Sequence, residues 1–365
     1  MRNLPHLMLK EIQEEPKIVQ EQIKKRVLKS KNNILFPEAK SFIKRLKEIN
    51  HFIFVGCGTS YHAGLLGKYF FQENLKEIYA EAEIASEFDY LNKKIGKRTA
   101  ILFLSQSGET VDVLSLFFKI QKSKALKIAV TNVEDSSLAK NASLCFFTEC
   151  GSEKALAATK TFLGQLAIIF LLSLFLKQEK KVHLENLDNL ISEFLRLPTL
   201  MKKVLSLNSS IKRIAQKYKN YKNFFLIGRR YHFPIALEGA LKIKETSYIH
   251  SEGIPGGELR HGPMAVIDEN IGIIFFIPSD SLYEKNLSLL KEIKAKNAKI
   301  IALATEGNKD IEKITKDVVF LPKTIEMLYP FLSAVFLQLF AYYLSISKGL
   351  NVDKPRYLSK AVLVE

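Results

Sequence analysis

Three charged residues recur at helical spacing in the second half of the 365-residue chain. Glu238, Lys242 and Glu245 are spaced i, i+4 and i+7, so on a helix they fall within a sector of about 60°. Pro234 can open that helix at its first position. Such a charged stripe between apolar neighbours either lines a cavity or forms a salt-bridged ladder on the surface, and periodicity alone leaves both open.

A histidine-containing segment follows this stripe directly. Residues 248–263 hold two histidines and two glutamates among glycines, and the whole chain has only seven histidines. We interpret the segment as a glycine-rich loop with a defined shape, of the kind that carries function. A carboxylate that moves a proton between adjacent carbons, a histidine that protonates a ring oxygen and a lysine that polarises a carbonyl are the groups that an aldose–ketose isomerase needs.

A hydroxyl-rich segment in the first half predicts a phosphate site. Residues 105–110 read Ser-Gln-Ser-Gly-Glu-Thr and lead into a helical pattern, and the N-terminus of a helix favours an anion. An ordinary helix cap needs one hydroxyl, whereas this segment has three. The counterpart at 278–281 reads Pro-Ser-Asp-Ser and carries Asp280 in place of Ser107. Because that carboxylate would repel phosphate, we expect one phosphate site.

The turn at 56–60, Gly-Cys-Gly-Thr-Ser, does not predict a nucleotide cofactor. Its GxG lacks the third glycine of the dinucleotide fingerprint, so we expect no nicotinamide and no other cofactor. Thr59 and Ser60 can instead donate to sugar hydroxyls or to phosphate. Cys57 has no basic neighbour in sequence, which favours packing over nucleophilic chemistry. The three cysteines form no CxxC or Cys/His cluster, so they predict no metal site and fit a reducing cytoplasm.

The motifs lie on one structural unit that occurs twice. An apolar run at 51–55 ends in Gly56, and a second at 224–227 ends in Gly228. Three further apolar runs follow at matching distances: 99–104 with 271–277, 128–130 with 300–303, and 144–147 with 318–321. Short apolar strands alternating with helices are typical of a parallel sheet covered on both faces. We predict an α/β fold of two tandem, doubly wound, flavodoxin-like domains, with the chemistry at the carboxyl ends of the strands.

These patterns divide the chain into five predicted parts. They are an N-terminal helical segment (1–35, with the helix at 7–29), a phosphate-binding first domain (36–182), a helical linker (183–204), a second domain with the Glu/His loop (205–350) and a catalytic tail (351–365) that Pro355 separates from the preceding helix. The most apolar stretches, 167–176 and 331–344, fall short of the about 20 apolar residues that span a bilayer. We expect them to be buried helices, and we expect no membrane association.

The charge balance does not indicate a nucleic-acid partner. The chain has 54 Lys and Arg against 38 Asp and Glu, a net charge of +16, but the basic residues are spread along it without a basic arm or a zinc-finger spacing. A lysine-rich solvated surface explains the charge; the alternative is a positive field that attracts a small anionic substrate. The hydrophobic content of 47% excludes a disordered protein.

Six ordered motifs together resemble a known family. They are GCGTSYHAG (56–64), SQSGET (105–110), EKALAATKTF (153–162), ALEGALKIKETSYIHSEG (236–253), GELRHGP (257–263) and VDKPRYLSKAVLVE (352–365). The whole chain resembles the sugar isomerase (SIS) half of the glutamine–fructose-6-phosphate aminotransferases, or glucosamine-6-phosphate synthases. This resemblance implies two SIS domains, a homodimer with a shared active site, and conversion of fructose 6-phosphate and ammonia to glucosamine 6-phosphate in amino sugar biosynthesis.

The resemblance also implies a role for each matching residue. Glu245 would move the proton between C1 and C2, and Lys242 and Glu238 would lie beside the reacting carbons. His261, contributed by the neighbouring subunit, would open the sugar ring, and Lys360 would form a Schiff base with the sugar carbonyl. The implied substrate- and phosphate-binding positions are Thr59, Ser60, Ser105, Gln106, Ser107, Thr110, Leu156, Ala158 and Ser359.

Two departures from the family pattern leave alternatives open. The glutaminase domain of the synthases is absent from the sequence. We therefore expect either an excised isomerase domain or a natural single-module enzyme that uses free ammonia, uses a glutaminase partner in trans, or works in reverse. Ala158 stands where synthases have serine, which is more typical of stand-alone glucosamine-6-phosphate deaminases. A non-catalytic sugar-phosphate sensor is the alternative from another class, although a sensor would not need Glu245, His261 and Lys360 together.

Overall fold

The structure is a computed structural model that describes residues 6–28, 32–88, 90–91, 93 and 95–360. Its α-helices are α1 (Leu7–Arg26), α2 (Ile43–Glu48), α3 (Thr59–Asn74), α4 (Ala85–Phe88), α5 (Val111–Lys119), α6 (Ser137–Asn141), α7 (Lys160–Lys180), α8 (Leu187–Ser206), α9 (Asn208–Lys217), α10 (His232–Ser247), α11 (Tyr283–Lys294) and α12 (Tyr329–Ser347). Its strands are β1 (Val27–Leu28), β2 (Asn33–Ile34), β3 (His51–Gly56), β4 (Tyr79–Ile84), β5 (Thr99–Leu104), β6 (Leu126–Thr131), β7 (Leu144–Phe147), β8 (Asn223–Gly228), β9 (His250–Pro255), β10 (Ile271–Ile277), β11 (Lys299–Thr305) and β12 (Asp317–Leu321).

The described residues form two compact units. The first unit comprises residues 15–153, 160–196 and 359–360. The second unit comprises residues 6–14, 154–159 and 197–358.

The first unit is built around a parallel five-stranded sheet in the order β4-β3-β5-β6-β7. Its central strands are apolar and buried on both sides, because helices cover both faces. Phe103 of β5 packs edge-on against Phe117 of α5 on one face, with ring centroids 5.0 Å apart. Phe54 of β3 meets Phe71 of α3 on the other face, also at 5.0 Å. This strand order is the flavodoxin-like one that the sequence predicts.

The second unit repeats this architecture. Its parallel sheet has the order β9-β8-β10-β11-β12, the same order as in the first sheet. One face of the sheet packs with α11 through a cluster that includes Phe275 and Leu289. On the other face Phe224 contacts Phe340 of α12 at 5.9 Å between ring centroids. The predicted pair of doubly wound α/β domains is therefore confirmed.

The apolar runs locate four strands of each sheet, but they miss the edge strands β4 and β9. The segment 248–263, which we expected to be a loop, begins with β9. An edge strand pairs with one neighbour only, here β8, so its sequence needs no continuous apolar run. A Cβ on Gly253 would lie 2.5 Å from the backbone nitrogen of Leu237. The glycine thus lets β9 run directly against α10.

Two proline-based expectations about helix ends are wrong. Helix α10 begins at His232, so Pro234 is its third residue and not its first. Helix α12 ends at Ser347, well before Pro355. Gly349 adopts a left-handed φ of 69°, and the following N–H, of Leu350, donates to the Ser345 carbonyl at 3.1 Å. A glycine in this conformation ends the helix.

The N-terminal helix, expected to reach residue 29, ends at Arg26, and residue 29 lies outside the described residues.

The apolar stretches around residues 170 and 340 lie in buried helices, as predicted. The helices are longer than the apolar runs: Lys160–Lys180 and Glu326–Ser347 are long and apolar enough to cross a membrane by length and composition alone. However, 94% and 100% of their most apolar windows are buried inside the protein. This burial is typical of core helices.

Candidate active site

The loop at residues 105–110 joins β5 to α5 and is held in place by its own side chains. The Ser105 hydroxyl accepts a hydrogen bond from the Gly108 N–H at 3.0 Å and lies 2.9 Å from the Thr110 hydroxyl. The Gln106 carbonyl accepts the Asn132 N–H at 3.0 Å, which ties the loop to the end of β6. Ser107 and Thr110 stay partly exposed. The loop therefore offers hydroxyls at the start of a nine-residue helix.

Gly108 is required by the shape of this loop. Its φ is 67°, and a Cβ at this position would lie 2.2 Å from the Ser136 hydroxyl oxygen. Both the left-handed backbone and the close approach exclude a larger residue. The absence of a side chain at Gly108 thus lets the loop pack closely against the residues that precede α6.

Thr59 and Ser60 begin α3, at the carboxyl end of β3. Because β3 pairs with β5 in parallel, these two residues lie on the same edge of the sheet as the 105–110 loop. Gln165, which is 1% exposed, donates from its amide nitrogen to the Ser60 hydroxyl oxygen at 3.1 Å. Gln165 lies in the apolar helix α7, and no sequence motif singles it out.

Lys360 lies in the same unit and is held by a buried carboxylate. Its Nζ is 2.8 Å from Oε2 of Glu153. The Glu153 side chain has 0% exposure and that of Lys360 has 30%. Sequence reasoning missed Glu153, although it belongs to the EKALAATKTF motif. Ser359 is exposed, and the apolar tail residues 362–364 lie outside the described residues.

The charged stripe of α10 is a buried cluster in the second unit. Lys242 Nζ lies 2.6 Å from Glu245 Oε2 and 3.4 Å from Glu238 Oε1. The side chains of Lys242 and Glu238 are 0% and 2% exposed, while that of Glu245 is 19% exposed. A salt-bridged surface ladder is therefore excluded. Burial of charges is costly unless they are paired, and here Lys242 is paired with both carboxylates.

Glu245 lines a cavity of about 470 Å³ between α10 and the tail. Its other lining residues are Leu241, Lys244, Tyr248, Ile249, His250, Arg356, Tyr357 and Leu358. The Arg356 N–H donates to the Tyr248 hydroxyl at 2.9 Å, and the Arg356 guanidinium stacks on the Tyr248 ring at 4.3 Å. The tail is thus fastened to the end of the helix that carries the charged cluster.

His261 and the residues Leu156 and Ala158 lie elsewhere in the second unit. His261 follows a short 3-10 turn, Glu258–Arg260, and is exposed. Leu156 and Ala158 are partly exposed, and the Leu156 N–H donates to the Asp353 carbonyl at 3.2 Å. The structure therefore places His261 on the surface, whereas the α10 cluster is buried.

The loop of the second unit that corresponds to residues 105–110 contains carboxylates. Asp280 accepts the Leu282 N–H at 2.9 Å, and burial raises the pKa of its carboxyl. Glu326 is paired with Arg230 at 2.9 Å and also accepts the N–H of Ser281. Two carboxylates at this sheet edge would repel a phosphate.

The described part of the chain offers neither a metal cluster nor an activated thiol. Within it, no group of three or more His, Cys, Asp or Glu residues could hold a metal ion. Burial, and secondarily the charge of Asp112, raises the pKa of Cys57 to about 11. At neutral pH this thiol stays protonated and is a poor nucleophile.

Comparisons with known proteins agree with this architecture. Residues 45–174 and 217–348 each match the SIS domain family. A glutamine–fructose-6-phosphate aminotransferase [isomerizing] from Clostridium tetani is 41% identical over 361 residues, which are 99% of this chain and 59% of that protein. The chain thus spans about three fifths of the length of this curated relative.

Two solved structures extend the comparison to three dimensions. The C-terminal domain of a glucosamine-fructose-6-phosphate aminotransferase from Francisella tularensis superposes with a TM-score of 0.91 at 32% identity, over 97% of this chain and 99% of that one. A glucosamine-6-phosphate deaminase from Thermotoga maritima superposes with a TM-score of 0.74 at 26% identity, over 98% of this chain and 99% of that one. Two regions match the family, the two sheets have the same strand order, and a solved structure superposes on 97% of the chain. The chain therefore belongs to the SIS domain family and carries two SIS domains in tandem.

Proposed function

We propose that this protein converts fructose 6-phosphate and ammonia to glucosamine 6-phosphate and water. The observation that carries the proposal is the α10 cluster, in which Lys242 is buried between two carboxylates and one of them, Glu245, faces a cavity. A sensor that only binds a sugar phosphate has no use for a partly exposed carboxylate beside a buried lysine. A proton-transfer enzyme needs both.

In the proposed reaction, Glu245 and Lys360 act on adjacent carbons of the open-chain sugar. The Lys360 amine adds to the C2 carbonyl, and loss of water gives a Schiff base, which ammonia then replaces. Glu245 removes the proton from C1 and returns it to C2. The C1 hydroxyl becomes an aldehyde, and C2 keeps the amine. Lys242 holds positive charge beside the reacting carbons, where negative charge develops.

The remaining assignments also stay part of this proposal. Ser105, Gln106, Ser107 and Thr110 hold the phosphate, Thr59 and Ser60 contact the sugar, and Leu156, Ala158 and Ser359 line the substrate. His261 opens the sugar ring and is supplied by the neighbouring subunit of a homodimer, which is supported by its exposure. We further propose that the enzyme works in the cytoplasm with ammonia as the amino donor.

Three parallel incubations of the purified chain test the function. The first contains fructose 6-phosphate and an ammonium salt, the second fructose 6-phosphate alone, and the third glucosamine 6-phosphate alone. We expect glucosamine 6-phosphate in the first and glucose 6-phosphate in the second. Binding of fructose 6-phosphate without any product would contradict the proposal and would support the sensor. Borohydride reduction with fructose 6-phosphate should attach the sugar to Lys360, which mass spectrometry would detect.

Deamination of glucosamine 6-phosphate is the second candidate. It is favoured by Ala158 and by the superposition on a deaminase over nearly the whole chain. The same residues would act in the opposite order, and the equilibrium would be drawn toward fructose 6-phosphate and ammonia. The third incubation distinguishes the two candidates by its rate relative to the first, measured at matched substrate concentrations.

A further inference from the structure

We propose that Glu153 is a positioning residue that fixes Lys360 in the place from which it reacts. The proposal rests on the proposed function for the role of Lys360, but the position itself is a property of the first unit alone. Lys360 lies outside the helices and strands, where side chains are ordinarily more mobile. A loop lysine that reacts with one carbonyl carbon needs a fixed partner.

Glu153 has the features of a rigid anchor. Its Oε1 accepts the N–H of Thr161 at 3.1 Å, and its Oε2 accepts the Thr161 hydroxyl at 2.8 Å. Thr161 belongs to the first turn of α7, a helix that is buried over most of its length. The carboxylate is therefore held by the N-terminus of a core helix, where N–H groups without helical acceptors favour a negative charge.

The burial of Glu153 makes its pairing with Lys360 stronger than a surface ion pair. The Glu153 side chain has no exposed surface, so its charge is screened little by water and salt. By contrast, the neighbouring pair of Lys25 and Glu149 has side-chain exposures of 36% and 39%, and such pairs contribute little. Glu153 thus supplies a directional, charge-assisted hydrogen bond to the tail lysine.

Chemical labelling without substrate tests the position directly. Amine labelling with a water-soluble acylating reagent, followed by mass spectrometry, reports the rate at Lys360 relative to the exposed lysines of the same chain. We expect Glu153→Gln to raise the relative rate about tenfold, the factor expected when a charge-assisted hydrogen bond is lost. Glu149→Gln is the matched control, because it makes the same change four residues away, and it should leave the Lys360 rate unchanged. An unchanged rate in Glu153→Gln overturns the proposal.

Kinetics then test the consequence for the reaction. Because the phosphate loop is untouched, Glu153→Gln should keep the KM for fructose 6-phosphate while kcat and the yield of borohydride-trapped Lys360 fall about tenfold or more. A rise in KM with kcat unchanged would contradict a positioning role. If wild-type protein proves inactive, the proposed function fails, but the labelling result still decides whether Glu153 fixes Lys360.

A second variant covers the case in which Glu153→Gln does not fold. Thr161→Val removes the hydroxyl that holds Glu153 Oε2 and keeps the backbone donor. We expect faster labelling at Lys360 and a lower kcat in this variant, both smaller in size than in Glu153→Gln. Wild-type labelling in a folded Thr161→Val protein would overturn the proposal.

Discussion

Lys242 and Glu245 form a 2.6 Å ion pair in which the lysine side chain is fully buried and the glutamate keeps 19% of its surface exposed. The second partner of the lysine, Glu238, is buried like Lys242 itself. The cluster is therefore asymmetric: one carboxylate fixes the lysine from inside the protein, and the other faces the cavity. Glu245 is therefore accessible from the cavity, whereas Glu238 contacts Lys242 inside the protein.

Replacing Glu245 by glutamine should therefore remove proton transfer and spare binding. The amide keeps the size of the side chain but cannot accept the C1 proton, so turnover should fall by about 10²–10⁴. Glu252→Gln, an exposed position in β9, is the control and should keep its turnover. Steady-state kinetics with fructose 6-phosphate measure both variants. An active Glu245→Gln enzyme would place the base elsewhere, with Glu238 the next candidate.

Replacing Lys242 by methionine should destabilise the fold as well as abolish activity. The change removes the cation beside the buried Glu238 and the partly exposed Glu245, and breaking a buried pair in this way costs about 3–5 kcal/mol. Urea unfolding at neutral pH measures the loss. Lys244→Met changes an exposed lysine of the same helix and should stay within about 0.5 kcal/mol of wild type. Similar stability of both variants would mean that the cluster is not electrostatically coupled.

Replacing Ser107 by alanine should weaken phosphate binding without changing the fold. The hydroxyl is partly exposed, and a hydrogen bond to a charged group contributes roughly 1.5–3 kcal/mol. Affinity for fructose 6-phosphate, measured by calorimetry, should fall about tenfold or more. Ser105→Ala should also lower the melting temperature, because Ser105 holds Gly108 and Thr110. Ser281→Ala, in the counterpart loop, is the control, and a loss of affinity there would contradict a single phosphate loop.

The repeated α/β architecture could be predicted because its inner strands carry their own signal. Continuous apolar runs such as 99–104 coincide with strands that are buried on both faces. The edge strand β9 gave no such signal, since its sequence, His-Ser-Glu-Gly-Ile-Pro, is mostly polar or small. The end of α12 was expected at Pro355, because a proline commonly follows the end of a helix. The helix ends earlier, because Gly349, six residues before this proline, adopts a left-handed φ.

The candidate site was predictable where residues are close in sequence and not where they are distant. The i, i+4 and i+7 spacing places Glu238, Lys242 and Glu245 together, although only the structure decides between a buried cluster and a surface ladder. The contacts of Gln165 with Ser60 and of Glu153 with Lys360 join residues separated by 105 and 207 positions. No local pattern encodes such pairs, because the tertiary fold alone brings them together.

Asp353 links the tail to the start of the first helix and gives a further test. Its two carboxylate oxygens accept the N–H groups of Leu7 and Met8 at 3.0 and 2.9 Å. Both donors lie in the first turn of α1, where N–H groups lack helical partners. Asp353→Ala should cost about 1 kcal/mol of stability and should speed amide hydrogen exchange at these two positions. Asp353→Asn should restore part of the loss, and unchanged exchange in the alanine variant would contradict the capping role.

The buried thiol of Cys150 should make the protein less stable in alkaline solution. Cys150 is 3% exposed, and burial raises the pKa of its thiol from 9.0 to about 12. Between these values the unfolded chain loses a proton that the folded protein keeps, so the free energy of unfolding decreases as pH rises. The stabilisation is complete below pH about 9, and each such thiol lowers stability by at most about 1.4 kcal/mol per pH unit above it. Urea unfolding at pH 8 and pH 10 measures the slope, and Cys150→Ala should make it shallower. Rapid alkylation of Cys150 in the folded protein at pH 8 would show that the thiol is accessible and would contradict this expectation.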